Sequence, residues 1–246
     1  MLQDMLAASI ESIEKEINRY IGRSVESATV DGDNITFVSC GHGLRAGDIV
    51  RVHGDTAIDA TVVSVASRHE FTASGLDSDV SGKTLSKHFI DQLMPSYGGE
   101  IAWLRPATVQ EILSLSVRSC GSEYTELETT EYQLLDSGSS DAQGEVLRIS
   151  GTWPVNVSRS RFGRIIDRYA MPAGIKASWV GGYVSIPSLL SVCVLQMIQL
   201  LIESSEDSGL TSETYDYYTW TRTASDAVFR LPGAIKSNLE TFKVAL

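Results

Sequence analysis

Between Thr29 and Leu85 the chain changes character every few residues, and that rhythm constrains the fold more than any other feature. Asn34-Ile35-Thr36-Phe37-Val38, Asp48-Ile49-Val50-Arg51-Val52, Thr61-Val62-Val63-Ser64-Val65 and Glu70-Phe71-Thr72 are short, β-prone stretches. Gly41, Gly43, Gly47, Gly54 and Gly75 separate them, often beside Asp or Asn, where chains turn. Several such strands at close spacing predict a small all-β module. Because a helical pattern precedes it, the module, over residues 29–90, reads as an insertion into a larger domain.

The helical pattern lies in residues 1–28. Leu6, Ile10, Ile13, Ile17 and Tyr20/Ile21 return every three or four residues, with Glu11, Glu14, Lys15, Asn18 and Arg19 on the other side and Gly22 as the stop. In the third segment, residues 91–203, positions 107–118 fit helix and strand equally. Tyr124 to Leu135, Glu145 to Ile149 and Ile175 to Val180 read as strands, and Pro187 opens a helix running to about Glu203. The last segment, residues 204–246, begins as a polar, Tyr-rich arm or long loop. It ends in a short helix after Pro232, in which Ile235, Leu239 and Phe242 share a face.

Ser185 to Ile202 is uncharged over 18 residues, yet it holds Ser185, Pro187, Ser188, Ser191, Gln196 and Gln199, and acidic residues follow. That pattern points to a buried helix or a helical interface rather than a membrane span. Met1-Leu2-Gln3-Asp4-Met5 lacks the basic and apolar regions of a signal peptide. Three scattered cysteines, Cys40, Cys120 and Cys193, do not form a disulfide framework. With 31 acidic against 20 basic side chains the net charge is -11, a field that does not favour gripping a phosphate backbone. It is compatible with a wall that DNA passes without sticking.

The usual catalytic and ligand-binding patterns are incomplete. Ser81-Gly82-Lys83-Thr84 has the end of a phosphate-binding loop, but Asp77 stands where its first glycine belongs, and Asp79 adds a second carboxylate. The alternation Asp77, Asp79, Ser81 starts like a calcium loop, but His88 replaces the closing Glu. Cys40, His42, His53, His69 and His88 lack paired zinc-ligand spacing. Carboxylate pairs such as Glu126/Glu128 are expected by chance in so acidic a chain. No cofactor, metal site or enzymatic activity is expected. Arg159, Arg161, Arg164 and Arg168 form the one cationic cluster, interleaved with Phe162, Ile165 and Ile166. It reads either as a solvated rim or as a contact for an acidic partner, protein rather than nucleic acid.

Several motifs then fall into a familiar order. Ile17-Asn18-Arg19-Tyr20-Ile21-Gly22-Arg23 closes the first helix. Tyr132-Gln133-Leu134-Leu135, a turn, Leu147-Arg148-Ile149 and Trp153-Pro154 follow. Ile175 to Gly182 leads through Ile186-Pro187 into the uncharged helix. Ser212-Glu213-Thr214-Tyr215-Asp216-Tyr217-Tyr218 and Leu231-Pro232 complete the series. Over residues 1–25 and 95–246 this order resembles the head-completion proteins of tailed bacteriophages, the head-to-tail connectors also called adaptor or neck proteins.

The resemblance implies an α+β fold: a helical connector body with small β-strands and an extended C-terminal arm and helix, interrupted by the β module. It implies a structural protein of the virion, at the head–tail junction. Such a protein forms a dodecameric ring below the portal protein, extends the DNA channel without sequence-specific binding, and carries tail or further neck proteins. Inter-subunit or portal contacts would fall on Tyr215, Tyr217, Tyr218 and Trp220 of the arm and on Leu231, Pro232, Ile235, Leu239 and Phe242. The arm read alone also suits a loop packed on its own subunit, and the last helix an intramolecular cap. Another virion ring protein, such as a stopper or tail-completion protein, would share these features. A carbohydrate-binding module would need an exposed aromatic platform, and the β-prone stretch from Thr29 to Leu85 holds only Phe37 and Phe71.

Overall fold

The computed structural model describes residues 2–17, 19–54, 56–76, 80–106, 108–118, 123–135, 144–159, 165–206, 212–215, 218–221 and 233–242. It opens on helix α1 (Leu2–Ile17), which buries Ala7, Ile13 and Ile17 and keeps Asp4 in its first turn and Lys15 in its last, each sign complementing the helix dipole. Ala7 meets Gly41, where an added Cβ would lie 2.7 Å from the Ala7 Cβ. Gly41 also holds φ of +58°, so both the close approach and the backbone require glycine there.

Seven strands follow: β1 (Arg23–Ser24), β2 (Ser27–Asp31), β3 (Asn34–Val38), β4 (Ile49–His53), β5 (Ile58–Ser67), β6 (Glu70–Ser74) and β7 (Thr84–Ser96). Antiparallel pairing runs β2–β3–β6–β5–β4–β7–β1. Because β1 and β2 are nearly continuous, the path returns to its start. Val25 N–H donates to the Lys83 carbonyl at 2.8 Å, and Glu26 N–H to Val38 at 2.8 Å, which seals the seam. The result is a closed barrel without the open edges of a flat sheet. Alternate residues point inward: Ile35 and Phe37, Val50 and Val52, Phe71 and Ala73. Phe37 and Phe71 stack at 4.8 Å across paired strands.

The barrel shares its last strand with the rest of the molecule. The first residues of β7 pair with β4, and residues from Lys87 onward pair with β15 (Met171–Gly181). On the far side of β15 lies β9 (Val109–Val117), followed by β10 (Thr125–Glu126), and the whole is one 10-stranded sheet. Both neighbours of β15 bulge at Ser178–Trp179, leaving Ile90 and Asp91 opposite Ser178 on one side and Leu113 unmatched on the other. Asp91, at φ of +51°, donates its N–H to the Ser178 hydroxyl at 3.0 Å.

A three-stranded sheet, β11 (Tyr132–Leu134), β12 (Glu145–Arg148) and β8 (Ile101–Trp103), supplies Ala102, Tyr132 and Val146 to the core formed with Leu115, Trp153, Ile175 and Trp179. β13 (Asn156–Arg159) and β14 (Ile165–Tyr169) form one hairpin, and β16 (Ser212–Tyr215) and β17 (Tyr218–Thr221) another, within the arm. Pro187 accepts the N–H groups of Leu190 and Ser191 at the start of α2 (Ser188–Glu206). α1, α2 and α3 (Gly233–Leu239) share a third core of Ile13, Ile17, Leu190, Met197, Ile235 and Leu239.

The expected helical connector body does not form. The described residues of 91–203 hold β8 to β15 and one helix, α2, so the described protein is mostly β-sheet. The ambiguous 107–118 segment is decided by pairing. The β9 backbone groups are taken by β15, while Ile112 and Val117 turn with Leu115 towards the core. In isolation that sequence fits either period; its neighbour supplies the ladder that makes it a strand.

Candidate assembly surfaces and buried polar clusters

Glu14 and Arg23 form the polar seam between α1 and the barrel. Arg23 Nη1 and Nη2 donate to the two Glu14 carboxylate oxygens at 2.7 and 2.9 Å, Nε donates to the Gly41 carbonyl at 2.9 Å, and Nη1 also reaches the Gly22 carbonyl. The guanidinium also lies over the Tyr20 ring, 5.3 Å from its centre. Burial opposes the Arg23 charge, but the Glu14 hydrogen bonds more than offset it and raise its pKa.

A second cluster joins the barrel to β9. Arg51 grips Asp59 at 2.7 and 3.0 Å and reaches Glu111 at 2.5 Å. Arg51 hydrogen bonding holds the Asp59 carboxyl below its ordinary range, and His88 lies 3.2 Å from the same carboxylate. Nearby, His53 Nε2 is 2.7 Å from Ser86 Oγ, which also accepts the Gln110 amide at 2.8 Å. A serine beside a histidine is the start of a nucleophilic site, but a nucleophile must meet its substrate. Ser86 is fully buried and its oxygen is already engaged from two sides. Burial pushes both His53 and His88 down, disfavouring their charged forms, while Asp59 partly opposes the shift at each. The cluster ties elements together and presents no open reaction site.

The remaining chemistry-bearing residues are similarly occupied. Gly82 N–H donates to Val25, and Lys83 N–H to Val80, so this segment is a turn into β7; Asp77 and Asp79 lie outside the described residues. His42 accepts the Leu44 N–H at Nδ1 and bonds the Ser67 carbonyl through Nε2, each at 3.0 Å. His69 accepts the Gly41 N–H and meets Asp4 at 3.2 Å. Cys40 and Cys193 are buried free thiols, both pushed up by burial; Cys120 lies outside the described residues. No group of three His, Cys, Asp or Glu suited to a metal occurs among the described residues.

The residues expected to make contacts fall in different places. In the arm hairpin Tyr215 pairs directly with Tyr218, and Trp220 with Glu213; Tyr217 lies outside the described residues, as do Leu231 and Pro232. Ile235, Leu239 and Phe242 are buried against α1 and α2 of the same chain. Arg159 and Arg168 stand on the two strands of the β13–β14 hairpin, while Arg161 and Arg164 lie outside the described residues.

Two apolar surfaces stand out beyond these residues. α2 buries Leu190, Cys193 and Met197, yet it also exposes Leu189, Val192, Leu195 and Ile202 along its opposite side. No described helix is long and apolar enough to cross a membrane. The second surface is the outer face of the three-stranded sheet, where Ala102 turns inward and Ile101 and Trp103 turn out, next to exposed Ile149. The uncharged α2 sequence was a visible signal for the first. The second depends on strand register, which nothing in residues 101–103 alone reveals.

No protein-family model matches the chain, and no curated protein matches it significantly.

Proposed function

We propose that this chain is a structural ring subunit at the head–tail junction of a tailed bacteriophage. It joins copies of itself into a dodecameric ring below the portal protein, continues the DNA channel and offers a platform to tail or further neck proteins. The observation that carries this reading is the double-sided α2 helix. One side completes the subunit core; the other holds Leu189, Val192, Leu195 and Ile202 against water. Exposed apolar side chains gathered on one side of a helix, here interleaved with Ser191, Gln196 and Gln199, support a contact with a neighbour. The sequence order over residues 1–25 and 95–246 supports the phage connector identity, and the net charge of -11 suits a channel wall that must not retain DNA.

The β-rich body alters which surfaces meet neighbours but keeps the requirement for two different faces per subunit, which any closed ring imposes. Burial of Ile235, Leu239 and Phe242 in the chain's own core favours a second reading. In it the ring sits on another neck component, as a stopper or tail-completion protein does, and the last helix is an internal cap.

Cryo-electron microscopy of the virion neck tests both. A ring of this chain against the portal supports the connector; a ring lower in the neck supports the second reading. Absence of the chain from the neck overturns both.

A further inference from the structure

Three parts of the molecule meet at Gly182, just past the end of β15. Its N–H donates to the Thr108 carbonyl at 3.0 Å, ahead of β9, and the next residue, Tyr183, donates to the Ile21 carbonyl at 3.1 Å. Tyr183 belongs to the helical core, and Thr108 Oγ1 closes the circle by donating to the Tyr20 carbonyl at 2.7 Å. Gly182 holds φ of +125°, and a Cβ there would lie 3.2 Å from Ser86 Oγ and from Tyr20 Cδ1, crowding both. Gln110 reaches over from β9, its amide donating to the Gly182 carbonyl and to Ser86 Oγ, and His53 of β4 completes the chain at Ser86. We propose that His53, Ser86, Gln110 and Gly182 form a proton-operated relay that opens this junction when His53 takes up a proton.

The direction of each hydrogen bond follows from its neighbours. Ser86 is fully buried and its oxygen accepts from Gln110, so its own hydroxyl proton needs an acceptor. Among the described residues that acceptor is His53 Nε2, 2.7 Å away, which therefore carries no proton while Nδ1 does. His53 is half-buried, so protons from solvent reach its ring. Once protonated, Nε2 donates to Ser86, and the Ser86 proton must turn to Gln110. The amide accepts it only by flipping, which sets Gln110 Oε1 against the Gly182 carbonyl, two acceptors face to face. Gly182 then moves away, and its N–H leaves Thr108. Charged and titratable groups reach this site from each neighbouring strand: Arg51 on β4, Asp59 on β5, His88 on β7 and Glu111 on β9, with Lys83 beside Gly54. Burial and the Arg51 charge disfavour the His53 imidazolium, and Asp59 partly opposes them.

Two measurements on the full chain test the relay. NMR of protein labelled at the histidine ring nitrogens reads the tautomers at pH 7.5. His42 and His69 accept backbone N–H groups at Nδ1, and His88 meets Asp59 through Nε2, so these three carry the proton on Nε2. The relay requires the fourth histidine, His53, to show the opposite tautomer, and four Nε2–H rings overturn it. The second measurement is amide hydrogen exchange at pH 7.5 and 5.5, corrected for intrinsic rates. Opening frees a ring with the ordinary pKa of about 6.5, so protection of Gly182 and Tyr183 falls by up to about tenfold at the lower pH. β12 keeps its protection. His53→Gln, whose amide oxygen accepts the Ser86 proton at either pH, keeps the junction closed. No loss in the wild type, an equal loss at β12, or a loss that persists in His53→Gln overturns the relay. Circular dichroism checks that the variant folds, and the tautomer count decides by itself if it does not.

Discussion

The Arg23 guanidinium holds both oxygens of Glu14, at 2.7 and 2.9 Å, and thereby fixes α1 to the first strand of the barrel. Arg23 is 4% exposed and Glu14 16%, so neither charge has much water to fall back on. Removing one partner strands the other, which typically costs about 3–5 kcal/mol. Glu14→Ala is expected to destabilise the protein by about that much, measured by urea unfolding. The double variant with Arg23→Ala is expected to lose less than the sum of the two single changes.

Because β7 runs from the barrel into the body sheet, the two are expected to unfold together. Phe71→Ala empties a fully buried site stacked on Phe37 and should cost about 3–5 kcal/mol. All four tryptophans, Trp103, Trp153, Trp179 and Trp220, lie outside the barrel. Their fluorescence should therefore report the loss as a shift of a single transition. An unchanged tryptophan transition alongside a separate, earlier barrel transition would contradict the coupling.

Acid should weaken the fold. Burial lowers the pKa of His42, His53 and His88, so below about pH 6.5 the unfolded chain takes up protons that the folded one resists. Stability therefore falls as pH drops through that region. For His42 the geometry gives the reason: protonating Nδ1 removes the acceptor of the Leu44 N–H. Asp59, lowered by Arg51, acts in the same direction further down, with stability lost as pH falls below about 4. Urea midpoints at pH 7.5 and 5.5 check this, and His42→Gln should flatten the difference.

The last helix should matter to the isolated subunit. Leu239 is fully buried among α1 and α2 residues, so Leu239→Ala should cost about 2–5 kcal/mol in the purified chain with no partner present. A melting temperature equal to wild type would mean that α3 gains its packing only on a neighbour.

Parts of the fold were legible because local pattern and final environment agree. The spacing of Ile10, Ile13 and Ile17 announced α1, and Pro187 announced the start of α2. In β3, β4 and β6 inward and outward residues alternate as the sequence does. The candidate surfaces were half legible. An uncharged helix advertised an interface at α2, whereas the Trp103 face needs the register Glu145↔Trp103 and Leu147↔Ile101 before it exists.

The sequence by itself determined where α1 and α2 begin and which residues of β3, β4 and β6 alternate, because capping, glycine turns and hydrophobic period act within a few residues. Tertiary structure alone decided that β7 continues from the barrel to pair with β15 in one sheet, that residues 109–117 join β15 as a strand, and that Arg51 bridges to Glu111. Each of these is a partnership between residues far apart in the chain. A backbone that fits two periods takes the one whose hydrogen bonds and buried face a distant neighbour completes.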